Sequence, residues 1–226
     1  QDLTITGTSS SGVRYGVDVE ASNVEVKNCH IYQICQFRTE GTSFQGGAGI
    51  NFDQPSYSNI SIDGNEIHDI GPGVGVEQLV HGIYCGVAGT NFRITNNLIY
   101  DCEDFGVHEY PTSSASGIEV VNNTISGCGR GILQGKNGVV RNNIVYNCQS
   151  SNYDIRETGN TVSNNFSGGG GNTTGITGVA AGVDVKFNNI TGLDFRLQPT
   201  SPALNAGTAT SAPPRDIVGT LRPQGS

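Results

Sequence analysis

The chain has 226 residues, among them 33 Gly and 22 Asn, with 14% charged residues, no Trp, no Met and a formal charge of −8. Gly and Asn disfavour helix interiors and favour turns with positive φ, so this composition excludes a mainly helical fold. Only three Lys against that net charge argue against nucleic acid or an anionic membrane as the main partner, and no run approaches the roughly 18 apolar residues of a membrane span.

Short segments of mostly alternating polarity recur in chain order. They are Val24-Glu25-Val26, Ile60-Ser61-Ile62, Phe92-Arg93-Ile94, Ile118-Glu119-Val120 and Gly138-Val139-Val140, and they carry the period of half-buried strands. Each sits just ahead of one anchoring position, which is Cys29 in the first instance and then Asn65, Asn97, Asn123 and Asn143, with Asn165 continuing the series. The Asn positions lie 32, 26, 20 and 22 residues apart. A second phrase, Gly followed by a branched apolar residue, recurs as Gly82-Ile83, Gly106-Val107 and Gly131-Ile132. Self-similarity at this period predicts coils stacked into a solenoid, whose core is a thin column of Ile, Val and Leu. A repeated turn Asn hydrogen-bonds along such a stack and tolerates left-handed backbone, so the ladder is read as structural.

Cys102, Cys128 and Cys148 each fall five residues after a ladder Asn and are expected to stack inward as buried thiols. Neighbours about 4.8 Å apart in parallel coils, with side chains aligned, are slightly wide for the usual Cβ separation of a disulfide. Cys29, Cys35 and Cys85 keep the option of pairing, and the lack of a close CxxC pair argues against a structural zinc site. Insertions at Arg38–Gly47 and Gly71–Val80 are placed to wall a groove. After Asn188-Asn189-Ile190 the repeat stops, and Pro at 199, 202, 213, 214 and 223 marks a tail that cannot continue a ladder. The expected division is a solenoid over 1–190 and a capping tail over 191–226. Gln1 to Thr8 read like the end of a preceding coil, so the natural chain is expected to extend further at its N-terminus.

The phrases His81-Gly82-Ile83-Tyr84, Phe105-Gly106-Val107-His108-Glu109-Tyr110-Pro111 and Arg141-Asn142-Asn143-Ile144-Val145 resemble bacterial right-handed parallel β-helix repeat proteins of the pectate-lyase-like superfamily. The tail from Phe195 to Gly207, with Gly219-Thr220-Leu221-Arg222-Pro223, is similar to the ending that many secreted members share. The resemblance implies an all-β, right-handed parallel β-helix of roughly seven coils, outside the cell or on its surface. It leaves activity open, because the superfamily includes lyases, hydrolases, epimerases and proteins without assigned chemistry.

Registering the coils on the Gly phrase places Val17, Ile50, Ile83, Val107 and Ile132 inward and Asp18, Asn51, Tyr84, His108 and Leu133 outward. Glu20, Asp53, Gly86, Tyr110 and Gly135 follow on the outer face, and Glu109 is expected inward. One face therefore gathers His81, Tyr84, His108, Tyr110 and Arg130 over about 10 Å of stack, with Asp53 one coil before and Lys136 at the far edge.

This grouping suits β-elimination on a uronate polysaccharide. Such a reaction needs a neutralised carboxylate, a base for the C5 proton and an acid for the leaving oxygen. His108 is the candidate base, with Tyr110 as proton donor and His81 assisting or exchanging roles with it. Arg130, Lys136 or a cation on Asp53 would neutralise the carboxylate, while Tyr84 and Asn51 would bind substrate. A C5-epimerase would use the same parts, and the alternative is a non-catalytic glycan-binding or surface-structural solenoid. No cofactor is required, although Asp18, Glu20, Asn51 and Asp53 offer hard oxygen ligands suited to Ca²⁺, against a merely solvated acidic edge. Asn51-Phe52-Asp53 and His81-Gly82-Ile83 loosely resemble two polygalacturonase blocks, but the adjacent Asp pair such hydrolases place between them is missing. The expectation is a monomer acting on polysaccharide, with no nucleic acid and no membrane insertion.

Overall fold

Segments of three to six residues cannot bury a core alone, so each pairs edge to edge with its counterpart one coil on. The computed structural model of the chain describes residues 2–7, 13–36, 46–53, 57–73, 79–86, 90–110, 117–173 and 176–222. The first coil comprises β1 (Thr4–Thr6), β2 (Tyr15–Asp18) and β3 (Val24–Lys27). The second holds β4 (His30–Tyr32), β5 (Gly47–Phe52) and β6 (Ser58–Asp63), and the third β7 (Glu66–Ile70), β8 (Val80–Cys85) and β9 (Thr90–Thr95). The fourth holds β10 (Leu98–Cys102), β11 (Phe105–Glu109) and β12 (Ile118–Val121), and the fifth β13 (Thr124–Ser126), β14 (Arg130–Gln134) and β15 (Val139–Arg141). In the sixth are β16 (Ile144–Tyr146), β17 (Ser151–Ile155) and β18 (Thr161–Ser163); β19 (Asn165–Gly168) and β20 (Val179–Ala181) end the stack. A short antiparallel pair, β21 (Phe187–Asn189) and β22 (Asp194–Leu197), follows.

The strands of the coils form three parallel sheets, and no helix occurs among the described residues. Sheet A stacks β1-β4-β7-β10-β13-β16-β19 at every third strand and ends on β20; sheet B stacks β2 to β17 and sheet C β3 to β18, both at every third strand. Like residues therefore lie on like residues. Ile31, Ile67, Ile99, Ile125 and Val145 form the inner column of sheet A. Val17, Ile50, Ile83, Val107 and Ile132 form that of sheet B, in the register read from the Gly phrase.

The Asn ladder is the polar half of this core. Asn65, Asn97, Asn123, Asn143 and Asn165 are all buried. In each, Oδ1 accepts the backbone N–H of the preceding ladder residue, starting from Cys29, at 2.9 Å. Each Nδ2 donates to a carbonyl of the coil before, from Val26 to Val140, at 2.8–3.0 Å. The left-handed backbone falls one residue earlier than the sequence suggests. Asn96, Asn122, Asn142 and Asn164 carry φ of 55–59°, and the ladder Asn that follows each is not left-handed. The Asn-Asn doublets thus divide the work: the first residue makes the turn and the second satisfies buried backbone groups.

The Gly phrase marks a bend in sheet B. A Cβ on Gly82 would sit 2.6 Å from the Gly106 carbonyl oxygen and 2.7 Å from Ile99 Cγ2, so the bend brings the backbone against the aliphatic column of sheet A. Both Gly82 and Ile83 turn toward the interior, which interrupts strict alternation and leaves His81 on the outer side with Tyr84.

All six Cys are buried and no disulfide joins them. Backbone bonds from Glu103 to Ile70, Gly129 to Cys102 and Gln149 to Cys128 align Ile70, Cys102, Cys128 and Cys148 in one column. The tail runs back along the corner between sheets C and A. Asn164 donates to the Ala206 carbonyl, Asn142 to that of Thr208, Arg93 to that of Ser211 and Asn96 to that of Arg215. Arg141 joins this seam through Ser163 and Thr210.

Candidate functional site

The outward row of sheet B runs Asp18, Asn51, Tyr84, His108, Leu133 and Asp154 in unbroken register. The bend at Gly82 adds His81 to the same face, and the structure brings together the five residues expected there. His81 stacks on Tyr84 with ring centroids 5.3 Å apart and meets His108 edge-on at 4.4 Å. Tyr84 meets His108 at 5.2 Å, and Tyr110 lies 6.0 Å from it. Arg130 lies over the Phe105 ring at 5.1 Å, and Phe105 in turn packs on His108 at 4.8 Å.

The two histidines do not line an open groove, as the sequence reading had them. His81 is 3% exposed and His108 7%, because the rings of Phe105, Tyr84 and Tyr110 enclose them, whereas Tyr110 itself is 49% exposed. Of the insertions expected to wall the site, residues 38–45 and 74–78 lie outside the described residues.

Burial sets the chemistry of this cluster. His108 Nδ1 lies 3.1 Å from His81 Nε2, and His81 Nδ1 lies 3.8 Å from Asp104 Oδ2. Among the described residues neither His81 Nδ1 nor Asp104 Oδ2 has a hydrogen-bond partner, so these two buried atoms face one another across a gap. Burial, then the charges of Arg156 and Arg130, push the His108 pKa down to about 4. Burial, His108 and Arg130 push that of His81 well below its ordinary value. Burial raises Asp104 to about 7 against the opposing pull of Arg130. Tyr84 is pushed up to about 12 by burial and by the charge of Asp53. At neutral pH the site therefore holds two neutral imidazoles beside a protonated phenol.

Arg130 is committed within the protein: its Nη1 donates to Asp104 Oδ1 at 3.0 Å, which corrects its assignment as a residue reaching for a substrate carboxylate. Asn51 is buried and donates to Asp18 Oδ1 at 2.7 Å, so it braces the face rather than presenting itself to a ligand. Lys136 lies just past the end of β14, half-buried and outside the histidine cluster. Asp53 is half-buried and within electrostatic reach of Tyr84 and Tyr15. Among the described residues, three or more potential ligands converge only at His30, Glu66 and His68, on sheet A. Glu109 points inward as the register requires, accepting from Gln134 Nε2 and from the Gly135 N–H at 3.0 Å. Burial raises its pKa to about 7.

Sequence reasoning missed Asp104, Phe105, Asp154 and Arg156. The Asp154–Arg156 pair, 2.7 Å apart, follows from extending the Tyr84–His108 row two coils further. Asp104 carries no repeat signal, since it lies at the corner between β10 and β11, where coil length varies.

A family model described as a right-handed β-helix region matches residues 1–190. No curated protein and no solved structure gives a significant match. No described helix is long and apolar enough to cross a membrane. Three stacked parallel sheets, an internal Asn ladder and a family match over most of the chain lead to one conclusion: the chain belongs to the right-handed β-helix family.

Proposed function

We propose that this is a secreted or cell-surface carbohydrate-active protein, a polysaccharide lyase or C5-epimerase acting on a uronate-containing glycan through the outer face of sheet B. The observation that carries the reading is the Asp104–His81–His108 chain beside two tyrosines. With a proton on His81 Nδ1 facing Asp104, His81 Nε2 accepts from His108 Nδ1–H, and the lone pair of His108 Nε2 remains for a substrate proton. The Asp104 gap closes as the imidazole gains charge, since catalytic hydrogen bonds tighten on the reaction path. His108 takes the C5 proton. Tyr84, which holds its proton at neutral pH, or the exposed Tyr110 donates one to the leaving oxygen for elimination, or returns one to the opposite face of C5 for epimerisation. Lys136 at the edge of the face meets the substrate carboxylate, while Arg130 and Arg156 stay paired with Asp104 and Asp154.

A second reading, a non-catalytic glycan-binding solenoid, is favoured by the burial of His108, because a sugar C–H must reach it. In that reading Tyr84 and Tyr110 serve as a stacking platform for sugar rings. Incubating the purified chain with alginate, pectate and glycosaminoglycans, and following the near-ultraviolet absorbance of unsaturated products, separates the two. Turnover supports the lyase, saturable binding without bond cleavage or C5 exchange supports the binder, and neither binding nor turnover removes both.

A further inference from the structure

All four histidines of the chain form inter-coil pairs, and the pair that the proposed chemistry does not use lies on the outer face of sheet A. We infer that His30, His68 and Glu66 form a binding site for a divalent first-row transition-metal ion of the Zn²⁺ type. β4 and β7 run in register, with His30 opposite Glu66 and Tyr32 opposite His68, so the diagonal pair His30 and His68 converges with Glu66 on one face. One ligand atom from each of the three lies within 4.8 Å of the others, and the two Nε2 atoms are 2.7 Å apart.

The surroundings prepare these atoms for a metal. His68 Nδ1 is 2.8 Å from Asp69 Oδ2, which fixes its proton on Nδ1 and leaves Nε2 as the ligating nitrogen. In the metal-free chain His30 Nε2–H then donates to His68 Nε2, and metal binding requires His30 to hold its proton on Nδ1 instead. Tyr100 donates to Glu66 Oε1 at 3.0 Å and leaves the other carboxylate oxygen for the ion. His68 is clamped between the rings of Tyr32 and Tyr100, stacked at 5.2 and 4.6 Å, and its side chain is 13% exposed. Two imidazoles and one carboxylate select transition ions over Ca²⁺, which prefers an all-oxygen shell. Three protein ligands leave one tetrahedral position for water or an anionic group.

The test uses the full chain, tag-free and stripped with a chelator, titrated with Zn²⁺ against a chromophoric competitor and with Co²⁺ for its visible d–d bands. The inference predicts one tight Zn²⁺ per chain, tetrahedral Co²⁺ bands, and loss of both in His30→Ala and in His68→Ala. Asp69→Asn, which changes a half-exposed side chain that touches no metal, is expected to weaken Zn²⁺ by about 10–100-fold while leaving one site per chain. His81→Gln, on the other sheet, is expected to leave the affinity unchanged. No Zn²⁺ binding by the wild type overturns the inference. So does binding that survives both His30→Ala and His68→Ala, or an Asp69→Asn variant that binds as the wild type does.

Discussion

Replacing Asn123 by Gly tests how the solenoid is held together. Asn123 is buried, and its Oδ1 accepts from the Asn97 backbone N–H at 2.9 Å and from Asn97 Nδ2 at 3.0 Å. Its Nδ2 donates to the Ile94 carbonyl at 2.8 Å and to Asn143 Oδ1 at 3.1 Å. Asn97 Nδ2 keeps Ile62, Asn143 Oδ1 keeps the residue-123 backbone N–H, and Ile94 keeps its place in the ladder between β9 and β12, so the group left unsatisfied is the Asn97 N–H. At about 1–3 kcal/mol for that group and roughly 1 kcal/mol for the lost bond to Ile94, the loss is about 2–4 kcal/mol, a large part of the total stability of an ordinary domain. Asn122 stands next to it at φ 59° and makes one half-buried bond, with Asn142, so Asn122→Gly is expected to lie within about 1 kcal/mol of wild type. Urea unfolding followed by far-ultraviolet circular dichroism compares the two variants directly. Equal midpoints for Asn123→Gly and Asn122→Gly would refute the assignment of the second Asn of each doublet as the structural one.

Glu109 gives a pH-dependent outcome. Its folded pKa of about 7 lies above the ordinary 4.5, so its contribution is fully present below pH 4.5 and is lost as pH rises through 7. Relative to wild type, Glu109→Gln is expected to gain on the order of 3 kcal/mol by pH 8 and nothing near pH 4, read from denaturation midpoints across that range; a difference that does not change with pH contradicts this. Gly82→Ala places a methyl against the Gly106 carbonyl and Ile99 and is expected to cost about 1–3 kcal/mol, with a midpoint at or above wild type as the contrary result.

The fold was legible because every coil repeats the same two phrases. Ladder spacing located the strands, and the Gly phrase set the register of sheet B from Val17 to Ile132. The same logic put His108 outward and Glu109 inward, and it gathered His81, Tyr84 and Tyr110. Burial was not legible. Which rings close over His108 depends on how Phe105 and Tyr110 pack within its own coil and Tyr84 from the coil before, and a one-dimensional register does not encode that. Nor did it show that Arg130 turns inward to Asp104, a corner residue outside the repeat. The His30–Glu66–His68 cluster was readable in principle, since Cys29-His30-Ile31-Tyr32 aligns with Asn65-Glu66-Ile67-His68 on the ladder. The Gly phrase recurs on sheet B alone and carries no information about which side chains gather on the outer face of sheet A.

Proton transfer by His108 is the central chemical claim, and deuterium exchange at C5 of uronate oligosaccharides in D₂O, followed by NMR, tests it most directly because elimination and epimerisation both pass through it. Wild type is expected to give deuterium uptake at C5 or the unsaturated elimination product, and His108→Gln neither. Protonation of His108 itself is expected to cost rate only near pH 4, whereas the loss on acidification begins near 7, where Asp104 gains its proton. Exchange or elimination that persists undiminished in a folded His108→Gln variant, or that is absent from the wild type with every polyuronate tried, contradicts that claim.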